Sequence, residues 1–272
     1  MAESEATAPR IEPSAAEERW RSLDWRVIPP IPEAPMTNMA LDEVLTERVG
    51  RGERAPTLRV WAWSAPCVVL GRFQSVRNEV DEAAAERFGI EIVRRISGGG
   101  AMFIQPEGAI TWSIYAPESL VAGMSFPESY AFLDAWVVRA LRDMGIDAWY
   151  APLNDIVSSA GKIGGAAQAR RGGAVLHHTT MAYEMDTGLM LQVLRIGQEK
   201  LSDKGTRSAE KRVGPLALGT RLSRAAIIEC LVADFSARYA ASIDGLRPDE
   251  LEDAASRVET RFSTRAWTHV LP

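Results

Sequence analysis

Cysteine is scarce in this chain. Its 272 residues include two, Cys67 and Cys230, and these show neither disulfide nor metal-finger spacing. Both lie in apolar stretches, Pro66-Cys67-Val68-Val69-Leu70 and Ile228-Glu229-Cys230-Leu231, which reads as two buried thiols in a reducing cytoplasm. Histidine is almost as rare: His177 and His178 are adjacent, the third is His269, and without a cysteine cluster the set speaks against zinc. No apolar run approaches the roughly 20 residues that span a bilayer, and Met1-Ala2-Glu3-Ser4-Glu5 lacks the basic start of a secretion signal. Excess positive charge is missing too. The 31 Lys and Arg face 36 Asp and Glu for a net charge of -5, so a nucleic-acid binder is not expected. Internal repeats and the glycine fingerprints of Walker-type and dinucleotide sites are also absent.

What is present is an ordinary globular composition, 46% hydrophobic and 25% charged, in a chain long enough to bury a sizeable core. Residues 1–19, rich in Ala, Glu, Ser and Pro, read as a disordered tail. From Trp25 onward extended and helical patterns alternate, which predicts an α+β fold, a mixed β-sheet packed with helices. Helices are expected over 38–49, 78–88, 187–194, 223–243 and 248–262, and strands over 58–63, 67–70, 90–96, 110–115 and 175–185. Ser125 and Glu128 have capping-box spacing at the head of one more helix, striped by Leu133, Trp136, Val137, Ala140 and Leu141 and ended at Gly145. The expected organisation is a main domain over 20–222 and a helical C-terminal extension over 223–272.

Two segments carry chemistry. The strand at 90–96 runs into Ser97-Gly98-Gly99-Gly100, preceded by Arg94-Arg95. Three glycines let backbone N–H groups approach a ligand or phosphate closely, although a merely flexible surface loop has the same composition. Downstream, Asn154-Asp155 is followed by Lys162 in Gly161-Lys162-Ile163-Gly164-Gly165-Ala166-Ala167-Gln168. A lysine among small residues has room to meet a developing negative charge, and Asp155 is a hard-oxygen ligand of the kind magnesium takes. The plain alternatives are a solvated lysine and an Asn-Asp turn. His177 and His178 alternate on a strand, so at most one of them faces such a site.

Taken in order, these segments resemble the lipoate-protein ligase A family. Arg94-Arg95-Ile96-Ser97-Gly98-Gly99-Gly100-Ala101 is similar to its Arg-Arg-x-Ser/Thr-Gly-Gly-Gly-Ala loop, and Asn154-Asp155 to its Asn-Asp pair. Gly161-Lys162-Ile163 through Ala166-Ala167 resembles its lysine motif, and His177-His178-Thr179-Thr180 its His-His-x-Thr strand. Gly71-Arg72-Phe73-Gln74 and Lys200-Leu201-Ser202-Asp203-Lys204-Gly205 through Arg212-Val213 extend the match, which covers about 35–217.

The resemblance implies the fold of biotin and lipoate ligases and an ATP-dependent ligase. Lipoate is activated on ATP with Mg2+ to an acyl-adenylate, and the acyl group passes to a lysine of a carrier domain, an E2 lipoyl domain or a glycine-cleavage H-type protein. By the same resemblance Lys162 is catalytic and Asp155 holds the metal. Arg72, Arg95, Ser97, Gly98, Gly99, Gly100 and Ala101, with Asn154, Gly165, Ala166, His178 and Thr180, then surround the acyl-adenylate.

Two departures stand out. Ile104-Gln105-Pro106-Glu107-Gly108-Ala109 replaces the family's His-Asp and Gly-Asn, and only about 50 residues follow Leu222, so a separate accessory subunit is expected to complete the activity. An octanoyltransferase, drawing its acyl group from an octanoyl carrier protein through a cysteine, is the nearest rival. The stretch Trp149-Tyr150-Ala151-Pro152-Leu153-Asn154 contains no such cysteine, which favours the ligase. A non-catalytic lipoate or lipoyl-domain binder is the rival of another class.

Overall fold

The structure, a computed structural model, describes residues 15–195 and 214–271. Its elements begin with α1 (Ala15–Arg21), β1 (Arg26–Glu33), α2 (Pro35–Gly50), β2 (Thr57–Trp63), β3 (Cys67–Leu70), α3 (Val76–Glu79), α4 (Glu82–Arg87), β4 (Glu91–Arg94) and β5 (Met102–Ile104). They continue with β6 (Ala109–Pro117), α5 (Phe126–Asp143), β7 (Ala148–Ala151), β8 (Asp155–Ser158), β9 (Gly161–Arg171), β10 (Ala174–Ala182) and α6 (Thr187–Val193). The last are α7 (Arg224–Tyr239), β11 (Ser242–Ile243), α8 (Pro248–Arg257) and α9 (Arg265–Thr268).

Eight strands form the main sheet in the order β11-β1-β2-β6-β10-β9-β8-β7, and β4-β3-β5 form a second, smaller sheet. β1 runs parallel to β2 and β11, while the strands from β2 across to β7 pair antiparallel. This is the mixed α+β sheet that the alternating pattern predicts.

Period-two alternation explains the layering. In β2, Leu58 and Val60 join Trp112, Trp136 and Phe235 under α5 and α7, whereas Trp61 and Trp63 join Met39, Leu41, Val44 and Leu45 of α2 on the other face. The small sheet lies beyond α2. Cys67 and Val69 pack toward it, and Val68, Leu70 and Phe103 turn away to meet Val76, Ala84 and Val193. α2 therefore sits between two sheets, and most of its residues are buried.

The Ser125–Glu128 capping box closes as the spacing predicts, the Ser125 amide donating to Glu128 Oε2 at 2.7 Å, a cap worth about 1 kcal/mol. The expected helix over 78–88 is instead two short ones, because Val80 leaves the helical path to bridge Leu194, and Asp81 then caps α4 by accepting from the Ala84 amide. The strand expected over 175–185 stops at Ala182. The helix expected over 223–243 ends at Tyr239, and Ser242 and Ile243 become a strand beside β1. Beyond α8 the helix widens into a π turn over Val258–Phe262.

Cys67 is buried, but Cys230 is exposed, so the pairing of two core thiols does not hold. Residues 15–19 of the expected tail belong to α1, whose Trp20 stacks on Trp25 and Tyr239 at 5.1 and 4.9 Å; residues 1–14 and the 200–213 motif segment lie outside the described residues. Among the described residues, no helix is long and apolar enough to cross a membrane.

The C-terminal helices are fastened to the body by buried charge. Fully buried Arg54 donates to both carboxylate oxygens of fully buried Glu250 at 2.5 and 2.6 Å, and Arg48 pairs with Asp249 and Asp253. Removing one partner of such a pair leaves a charge without compensation. Glu250→Ala is therefore expected to cost about 3 kcal/mol of unfolding free energy in urea titrations followed by tryptophan fluorescence. A loss below about 1 kcal/mol would show that the pair does not fasten these helices.

Candidate active site

The site grows from the β8–β9–β10 corner of the main sheet. Asp155 opens β8 opposite Gly165, and a bulge between Ile156 and Val157 shifts the register so that Lys162 pairs with Val157. Lys162 Nζ lies 2.9 Å from Asp155 Oδ1, with the carboxylate buried and the ammonium partly exposed. Asn154 fastens this corner from the side: its Nδ2 donates to the Ala166 carbonyl at 2.5 Å, and the Ala166 amide donates back to the Asn154 carbonyl at 2.9 Å. A Cβ on Gly165 would stand 3.1 Å from Lys162 Nζ, so the glycine is the room in which the lysine sits.

Across the cleft lies the triple-glycine loop between β4 and β5. Its tandem arginines face opposite duties. Arg94 donates to carbonyls of Gly71, Gln74 and Thr268 at 2.8, 2.7 and 2.6 Å, and the Trp267 indole donates to the Arg94 carbonyl at 3.0 Å. Arg95 curls back on its own loop, donating to Ser97 Oγ and to the carbonyls of Gly98 and Gly100 at 3.0, 2.6 and 2.9 Å. Burial pushes Arg95 down to about 10, which leaves it charged at neutral pH. Gly99 has φ +89°, and a Cβ on Gly71 would lie 2.1 Å from the Gly99 carbonyl oxygen, so the two segments interlock backbone to backbone.

His178 projects from β10 beneath that loop. Nδ1 lies 2.7 Å from Asp42 Oδ2 and Nε2 2.6 Å from Ser97 Oγ. Asp42 also accepts from Ser113 and Tyr115 hydroxyls at 2.9 and 2.6 Å. Burial holds the imidazole below its ordinary range despite the opposing pull of Asp42, so it is neutral at pH 7, with its proton on the nitrogen that faces the carboxylate. His177 points through the sheet to Asp134 of α5 at 2.8 Å, away from the cleft.

Between these walls is a cleft of about 1490 Å³. Its lining includes the polar side chains of Arg95, Asn154, Lys162, His178 and Thr180 and the apolar ones of Met102, Phe103, Met185, Met190, Leu191 and Leu194, with Glu79, Glu107, Glu184, Asp186 and Arg195 among them. Gly100, Ala101, Gly165 and Ala166 also line it.

Five of the residues taken from the motifs are placed elsewhere. Asp155 lies under Lys162, and Ser97, Gly98 and Gly99 shape the loop without lining the cleft. Arg72 stacks on Trp267 at 4.5 Å, a strut between the loop and the C-terminal helix. The Lys162 ammonium lies 2.9 Å from one Asp155 oxygen, and no group of three His, Cys, Asp or Glu side chains that could hold a metal occurs among the described residues.

Asp42 was not among the expected residues. Its signal is the series Asn38, Asp42 and Thr46, polar residues four apart and all buried on α2. Arg94 and Trp267 carry no comparable signal, because their partners are backbone carbonyls.

The model of the lipoyl protein ligase A/B catalytic domain matches residues 34–236. The octanoyltransferase LipM of Moorella thermoacetica is 31% identical to this chain over 82% of it and 87% of its own length. That of Exiguobacterium sp. is 29% identical over 79% and 85%. A bi-partite lipoate protein ligase from Thermoplasma acidophilum, solved with its E2 lipoyl domain, superposes with a TM-score of 0.77 at 27% identity, over 92% of this chain and 98% of that one.

The octanoyltransferases among these relatives overturn the ATP-dependent ligase expected from the sequence. The physical reason is that both chemistries hold an activated acyl carbonyl for attack by a lysine, so one loop and one lysine serve either. The cysteine-free stretch at 149–154 therefore does not decide between them.

Gly165→Ala tests the geometry of the corner. The methyl group displaces a flexible lysine tip by a few tenths of an ångström, so stability should barely change while turnover falls about tenfold. Unchanged turnover would mean that the position of Lys162 is not critical.

Proposed function

Because the chain belongs to the lipoyl protein ligase A/B catalytic domain family, we propose that it is an octanoyltransferase, moving an octanoyl group from the thioester of an acyl carrier to a lysine on a lipoyl domain. The observation that carries this reading is the placing of Lys162, anchored by Asp155, in the wall of a cleft that also carries a set of large apolar side chains. The names of the relatives support octanoyl transfer.

An octanoyl chain suits the side chains of Met102, Phe103, Met185, Met190 and Leu194, which remove it from water, while its carbonyl reaches Lys162 in the same cleft. The neutral amine of the acceptor lysine attacks that carbonyl carbon. Negative charge builds on the carbonyl oxygen, and the Lys162 ammonium neutralises it. As the tetrahedral intermediate collapses, the C–S bond breaks and the sulfur leaves with the proton released by the attacking nitrogen. Asp155 keeps Lys162 aimed.

No cysteine lines the cleft: Cys67 is buried in β3, where burial pushes its thiol well up, and Cys230 lies on α7. Transfer in this reading is direct, without a cysteine-bound acyl intermediate. The acceptor is proposed to be a lipoyl domain of the kind solved with the Thermoplasma ligase.

Octanoyl-acyl carrier protein, an unmodified lipoyl domain and this protein, without nucleotide, should give an octanoylated lipoyl domain by intact mass. Lys162→Ala should lower kcat by about 100-fold with the fold retained. No transfer from the thioester, or near-normal turnover by the variant, would overturn the reading.

A further inference from the structure

The three buried groups Asp42, His178 and Ser97 come from parts of the chain far apart: 136 residues separate His178 from Asp42, and 81 separate it from Ser97. Their bonds run in one direction. Asp42 Oδ1 accepts from the Ser113 and Tyr115 hydroxyls, which leaves Oδ2 for His178 Nδ1 at 2.7 Å. With its proton on Nδ1, the imidazole can only accept at Nε2, so the Ser97 hydroxyl donates there at 2.6 Å. Ser97 Oγ in turn accepts from Arg95 Nε at 3.0 Å, and Arg95 grips the Gly98 and Gly100 carbonyls. The chain of bonds thus leads from an acid on α2, through β10, into the triple-glycine loop.

We propose that Asp42, His178 and Ser97 are positioning residues that hold the triple-glycine loop in the one shape that receives the acyl donor. Ser97 is 1% exposed and does not line the cleft, so it acts through the loop and not on the carbonyl. His178 is the member that reaches the cleft wall, where its ring also packs edge-on against Trp61 at 6.1 Å. Glycine-rich backbone has many other conformations open to it, and a loop of three glycines needs such an external clamp to keep one. A hydroxyl with one donor and one acceptor partner, inserted between an imidazole and a guanidinium, supplies it. The effect on kinetics rests on the acyl-transfer reading above; the effect on loop order does not.

The test compares Ser97→Ala, Ser97→Thr and Asp42→Asn with the wild type. Loss of one hydrogen bond in the chain should speed amide hydrogen exchange over 97–101 in Ser97→Ala by about tenfold. With octanoyl-acyl carrier protein as donor, its KM should rise about tenfold while kcat changes less than about threefold. Ser97→Thr, which keeps the hydroxyl, should reverse both effects, and Asp42→Asn should reproduce them. Unchanged loop exchange in a folded Ser97→Ala would overturn the proposal. So would a selective loss of kcat together with a hydroxylamine-labile octanoyl ester on Ser97 of the wild type, which would make Ser97 a nucleophile. If the wild type transfers nothing from the thioester, the function assigned above fails, and the exchange measurement alone still decides the role of the three residues.

Discussion

The ion pair between Lys162 and Asp155 is the constraint on which the site depends. An ammonium that lines the cleft must keep its place before any acyl group arrives. A buried carboxylate 2.9 Å away holds it there. The surrounding chain is arranged for that contact: a bulge sets Lys162 across from Val157, Gly165 leaves the lysine its space, and Asn154 fastens β9 through Ala166. The positive charge that the proposed transfer uses is thus fixed by strand register, not by a loop.

The opposite wall follows a different principle. There the backbone itself forms the surface, and the arginines beside it are spent on holding it. Arg95 binds the loop from within, while Arg94 ties it to Gly71, Gln74 and the C-terminal Thr268. The C-terminal helices, fastened by Arg54 and Glu250, therefore bear on the loop as well as on the core. Cationic residues beside a glycine loop look like ligand contacts when only the order of residues is known. Here Arg94 is a strut, and Arg95 clamps the loop while also lining the cleft.

Much of the fold was legible. The capping box at Ser125 and Glu128 and the apolar run at 67–70 depend on local chemistry, and they stand where the residues put them. β9 was not legible, because a run of glycine and alanine has the composition of a loop and becomes a strand only through the ladders of β8 and β10. The helix expected over 78–88 failed because a long-range bridge from Val80 to Leu194 outweighs helical propensity. In the site, Lys162 and the glycine loop showed themselves through composition, whereas Asp42 owes its role to partners on β6 and β10. The choice between ligase and octanoyltransferase is not legible in the residues, because a lysine that neutralises a carbonyl oxygen looks the same in both.

A double-mutant cycle between Lys162 and Asp155 tests the account most directly, with kcat/KM for octanoyl transfer measured for each alanine variant and for the pair. If Asp155 acts by holding Lys162, its removal matters only while the lysine is present, and the double variant should be no slower than Lys162→Ala alone. Losses that multiply, each variant slowing transfer regardless of the other, would show that the two residues act separately and would contradict the account.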